Sequence, residues 1–146
     1  MSEYEEYQNA EKQSIKRTLD LLSKGLLREL KEELDYAGMA TYLHNLYGRV
    51  ENILKHTLKH CGVRIALSES WHKELLKVAV NYGIVSEPLG EQLREYLKFR
   101  HFFIHGYGFM LEPELLMPLA NKAKIVFQQF LEEIEKDEIG RRCVRH

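Results

Sequence analysis

Apolar residues recur three and four positions apart along nearly the whole chain. That spacing commits it to α-helices, because it stacks side chains on one face of a turn of 3.6 residues. Period-two alternation, the mark of half-buried strands, has almost no candidates. A first helix or helix pair is predicted over roughly Glu3 to Tyr36, with Ile15, Leu19, Leu22, Leu26, Leu30 and Leu34 on one face and Gly25 as a point of kinking. A second runs from about Met39 to His60, with Tyr42, Leu46, Val50, Ile53, Leu54 and Leu58 in register and Gly62 just past its end. The third starts at Ser68 or Ser70, either of which can cap it, carries Trp71, Leu75, Val78 and Ala79, and stops at Asn81-Tyr82-Gly83. A fourth opens near Leu89 and ends in the Gly106-Tyr107-Gly108 break. A fifth follows Pro113 and continues to about Ile139, with Ala123, Val126, Phe127, Phe130 and Ile134 inward. No repeat or linker interrupts this pattern, so the expected fold class is all-α: one antiparallel bundle of about five helices over residues 1–140, with 141–146 as a loose tail.

Composition fits that expectation and removes several function classes. Of 146 residues, 45% are apolar and 29% charged, enough to bury a core and too apolar for a disordered chain. No apolar run approaches the roughly 18 residues that span a bilayer. The start, with Glu3, Glu5 and Glu6, lacks the basic-then-apolar order of a signal peptide, so no membrane association and a cytoplasmic location are expected. Cys61 and Cys143 stand 82 positions apart and form no CxxC, and both are expected to be free thiols. The net charge of −1 hides an uneven distribution. Residues 36–110 hold nine bases, six acids and six of the seven histidines, whereas both flanks carry more acids than bases. A polyanion would feel that local excess, with Arg49, Lys55, Lys59, Arg94 and Lys98 as its track; ordinary scatter is the plainer explanation.

Chemistry concentrates between Phe99 and Tyr107. His101 and His105 are four apart and share a helical face, as two zinc ligands would, but no third ligand accompanies them, so no metal is expected. Arg100 and His105 are five apart and diverge by about 140° on a straight helix. They would serve one cleft only if the helix unwinds at Gly106, or if a two-fold axis between two copies brings each beside its mate. An arginine and a histidine suffice for metal-free RNA cleavage. The imidazole moves a proton to or from the 2′-hydroxyl or the leaving 5′-oxygen, and the guanidinium neutralises charge on the phosphate. Glu51 would orient an active-site histidine if it lay beside one; the plainer expectation is a solvated acid paired with Lys55 one turn on. Trp71 and His72 are a candidate wall of the cleft, and Tyr42, Tyr47 and Tyr96 either stack on bases or pack.

Arg100-x4-His105-x-Tyr107 resembles the R-x4-H-x-Y signature of HEPN ribonuclease toxins of the HepT type, with a polar residue, His101, straight after the arginine where Asn is common. Leu43-His44-Asn45-Leu46-Tyr47-Gly48-Arg49-Val50-Glu51-Asn52-Ile53-Leu54, Ser70-Trp71-His72-Lys73-Glu74-Leu75-Leu76 and Leu93 to His101 are similar to characteristic HepT segments, and the likeness spans about residues 36 to 135. The resemblance implies an all-helical HEPN bundle active as a homodimer, with its motifs at the interface. It also implies a metal-independent endonuclease acting on tRNA or mRNA without a cofactor, with Arg100 and His105 as the catalytic pair. The implied partner is an antitoxin of minimal nucleotidyltransferase (MNT) fold that transfers AMP from ATP onto Tyr107. A bulky anionic nucleotide there would block RNA sterically and by repulsion. His101, Glu51 and His72 are expected in auxiliary or substrate-binding roles. The alternative is a HEPN-like bundle that has lost catalysis and survives as a binding or dimerisation partner of a nucleotidyltransferase.

Overall fold

The structure, a computed structural model, describes residues 2–29, 31–65, 68, 70–106 and 113–139. Among these residues there are five α-helices and no strand: α1 (Glu3–Leu26), α2 (Glu33–His60), α3 (Trp71–Asn81), α4 (Glu87–Ile104) and α5 (Pro113–Ile139). None is long and apolar enough to cross a membrane. The tail at 141–146 lies outside the described residues.

Side-chain pairs between helices fix their directions. Tyr4 stacks on His60, Tyr7 on His56, Gln8 donates to the Thr57 hydroxyl and Glu11 meets Arg49, so partner numbers fall along α2 as they rise along α1. α1 and α2 are therefore antiparallel. By the same test, Ser86 with Glu133, Glu95 with Lys122 and Tyr96 with the Leu119 carbonyl make α4 and α5 antiparallel. The centre is apolar and continuous, built on α2 through Leu43, Leu46, Val50, Ile53 and Leu54 against Leu75, Leu93, Phe127 and Phe130 from the other helices. α3 and α4 approach closely at Gly90, where an added Cβ would lie 2.7 Å from Val80 Cγ2.

The first break falls earlier than the periodicity indicates. α1 ends at Leu26, one residue after Gly25, and α2 opens at Glu33. Lys31 Nζ donates to the Leu26 and Arg28 carbonyls at 3.3 and 2.7 Å, while Glu32 and Asp35 form a reciprocal capping box. Leu34, expected on the inner face, is 80% exposed. Helix α3 is capped at Ser70 by position, but the Ser70 side chain makes no capping bond and instead meets the Ser68 hydroxyl at 3.2 Å. Ser86 does cap α4, accepting from Leu89 N, and is itself held by Glu133. α4 stops at Gly106, whose φ of +70° favours a residue without Cβ, as at many helix ends. The free-thiol expectation fails for Cys61, which is disulfide-bonded. Separation along the chain, on which that expectation rested, does not measure distance in a fold.

Candidate functional site

Helices α2, α3 and α4 meet around one buried carboxylate. Glu51, on α2, is only 3% exposed. His72, in the first turn of α3, places Nδ1 2.9 Å from both Glu51 oxygens. Its other ring nitrogen, Nε2, lies 3.4 Å from Nη1 of Arg100 on α4. An arginine nitrogen can only donate, so Nε2 must accept and the ring proton must sit on Nδ1, donating to Glu51. Read as hydrogen bonds, the two contacts have His72 present Nδ1–H to an anion and an acceptor nitrogen to a cation. Trp71 covers the ring, with centroids 3.7 Å apart, and Lys55 Nζ lies 4.9 Å from the Trp71 ring.

Arg100 is half-buried and under-satisfied. Its Nε is sealed from water and finds no hydrogen-bond partner among the described residues, and no ion pair compensates its charge among them. Two neighbours register that charge. The His44 ring stacks on Phe103 at 4.9 Å, and its Nδ1 is also without a partner. Burial first, and then the Arg100 charge, push the His44 pKa below the ordinary imidazole value. Tyr47 is fully buried, and its hydroxyl makes no bond of ordinary geometry. Burial first, then the Glu51 charge and the approach of the hydroxyl to that carboxylate, raise the phenol's pKa well above its usual range, partly offset by Arg100 and Arg94. A half-buried cation with its Nε out of water and, among the described residues, no carboxylate is an unusual way to leave an arginine, because an unmade buried bond carries its desolvation cost. An anion with several acceptor oxygens would relieve it.

The structure separates the residues of the sequence motif. Arg100 turns toward α3, whereas His105 caps α4 and its ring lies against His101, centroids 4.4 Å apart and planes tilted by 58°. Both histidines are exposed. Within one chain the side-chain partner of Arg100 among the described residues is His72, and through it Glu51, in keeping with the divergence expected of residues five apart on a helix. Tyr107 lies outside the described residues. No group of three or more His, Cys, Asp or Glu side chains suited to a metal occurs among the described residues.

Glu51 corrects an expectation: it is neither solvated nor paired with Lys55, because its helix face turns inward and α3 supplies the histidine. The expected basic track is also thinner than counted. Arg49 is tied to Glu11 at 3.1 Å and Lys55 is drawn to Trp71, leaving Lys59, Arg94 and Lys98 on exposed positions. Tyr47 and Tyr96 are buried, and Tyr42 packs against the core, so the three tyrosines pack rather than stack on bases. His44 and Tyr47 were overlooked as site neighbours. Their signal was spacing: 44, 47 and 51 fall on one face of α2, three polar-capable groups inside an otherwise apolar stripe.

The family model described as HepT-like protein matches residues 38–138. The chain belongs to the HepT-like family. The match includes the Glu51–His72–Arg100 network and its neighbours His44 and Tyr47, and excludes all of α1. No curated protein and no solved structure matches this HepT-like chain.

Proposed function

We propose that this HepT-like protein is a ribonuclease toxin of a HEPN/MNT toxin–antitoxin pair, one HEPN-type domain over residues 1–140 that cleaves tRNA or mRNA endonucleolytically without a metal. The observation that carries the reading is Arg100: a half-buried guanidinium with no counter-ion, and no partner for its Nε, among the described residues, in a chain of this family. Arg100 neutralises the phosphate in the transition state and His105 carries the proton. The two are parted within one chain, so the working cleft belongs to a homodimer in which the Arg100 of one copy faces the His105 of the other. His101, beside His105, contacts substrate. The toxin is restrained by an MNT-fold nucleotidyltransferase that AMPylates Tyr107.

A second reading rests on the same separation. Arg100 engages His72 rather than His105, as it would in a bundle that binds a nucleotidyltransferase or a phosphate without cutting RNA. One experiment separates the two. Purified protein, weighed by intact mass to show whether AMP is attached, is incubated with cellular RNA in excess chelator beside Arg100→Ala and His105→Ala. Discrete cleavage by the unmodified wild type, lost in both variants, supports the enzyme. An unmodified chain that leaves RNA intact overturns it in favour of the binding module.

A further inference from the structure

The motif reading assigns no work to the first turn of α3, yet the shortest polar contacts around Arg100 run through it. We infer that His72 is a positioning residue: anchored by Glu51, it holds the Arg100 guanidinium in the orientation that meets phosphate. This rests on the ribonuclease reading above.

Three observations carry it. The Glu51 carboxylate is buried and accepts from Nδ1 through both oxygens at 2.9 Å, so the ring is fixed in place and in tautomer. Trp71 packs against the ring and limits its rotation. Nε2, the acceptor so created, lies 3.4 Å from Arg100 Nη1 and is the only side-chain acceptor that Arg100 meets among the described residues. An arginine side chain has four rotatable bonds, and one hydrogen bond to a rigid acceptor removes much of that freedom before substrate arrives. A neutral acceptor does this without discharging the cation, which a carboxylate in the same place would do. Glu51 sets the tautomer from one position farther back and leaves the Arg100 charge available. The Nη hydrogens that His72 does not engage are left for phosphate oxygens.

The test compares two amides. In His72→Asn the shorter amide reaches Glu51 but leaves Nη1 without its acceptor; in His72→Gln the amide oxygen stands where Nε2 stood. RNA cleavage is measured for wild type, both variants, Arg100→Ala and the double variant Arg100→Ala/His72→Asn, with melting temperatures alongside. The expected result is a fall in kcat of about 10²-fold for His72→Asn, most activity kept by His72→Gln, similar melting temperatures, and a double variant no worse than Arg100→Ala alone. Equal losses for Asn and Gln, or losses that add in the double variant, overturn it. A readout independent of activity is the 15N spectrum of the His72 ring, expected to show Nδ1 protonated and Nε2 bare at neutral pH. A ring protonated on Nε2 overturns the positioning role even if RNA is cut. An Nδ1-protonated ring in a protein that cuts no RNA sustains the contact and sinks the ribonuclease reading instead.

Discussion

Two buried glutamates, one on α1 and one on α2, are used in opposite ways. Glu11, on α1, accepts from Arg49 at 3.1 Å and Asn52 at 3.2 Å, and its cation stays 43% exposed, so charge is cancelled at the edge of water. Glu51 accepts twice from one histidine, and behind that histidine stands an arginine with no carboxylate of its own among the described residues. The α1–α2 seam is a fastening, in which Gln8, Thr57 and two tyrosine–histidine stacks add to the same join. Among the described residues the α2–α3–α4 junction keeps three atoms without a hydrogen-bond partner of good geometry, on His44, Tyr47 and Arg100, whereas the α1–α2 seam keeps one, Oε1 of Gln8. Polar groups that satisfy one another hold a fold together, whereas groups kept short of partners are poised for a ligand, and proteins tend to accept that cost at working sites.

If that contrast is right, damage on the two sides should differ in kind. The largest stability loss is expected for Glu51→Ala, which leaves His72 and Arg100 without the carboxylate in a half-buried junction; about 3 kcal/mol is the upper scale, that for removing one partner of a buried pair, read by denaturant unfolding. Glu51→Gln keeps an acceptor for Nδ1 and should cost clearly less. Glu11→Ala is expected to lose about 1–2 kcal/mol, because Arg49 can turn to water, and to leave RNA cleavage untouched. Equal losses for the two alanine variants would erase the distinction. Gly90→Ala, remote from both glutamates, should cost about 1–2 kcal/mol as Val80 is forced aside, less whatever the better helix former returns. A gain in stability there would show that α3 and α4 can separate without penalty.

The smallest effect is in pH. The His44 pKa is lowered in the folded state, so below about 6.5 the unfolded chain binds a proton that the native chain refuses. Stability supplied by neutral His44 is therefore complete above that value and lost as pH falls through it. His56 on the α1–α2 seam is lowered as well, by burial first and then by the Lys59 charge, and adds in the same direction. The two separate under substitution: Arg100→Met should raise the His44 pKa toward 6.5 and leave His56 where it was, followed by NMR titration of the ring protons. Movement of both would mean that Arg100 acts across the whole bundle and not within its own junction.

How much of this could be read from the chain depends on the range of the interaction. Helices α3, α4 and α5 were legible because Ser70, Pro88 and Pro113 punctuate an apolar period that is locally complete. The α1–α2 break was not, since Leu26, Leu30 and Leu34 continue the period through it, and the cap that stops it uses Glu32 with Asp35 instead of the commoner serine or threonine. Arg100 stood out because its motif is contiguous. Its contact with His72 was invisible, because the two stand 28 positions apart on successive helices and only packing brings them together. Glu51 was misjudged for a related reason: a lone acid in a helix looks solvated until its face is known to turn inward.

The most direct measurement replaces Arg100 by methionine, which keeps much of the volume and removes the charge, and follows RNA cleavage and thermal melting on the same sample. If Arg100 is held short of partners for a ligand's sake, cleavage should disappear while the melting temperature holds or rises. A variant that melts earlier and still cuts RNA would contradict the account, and would place Arg100 among the fastenings.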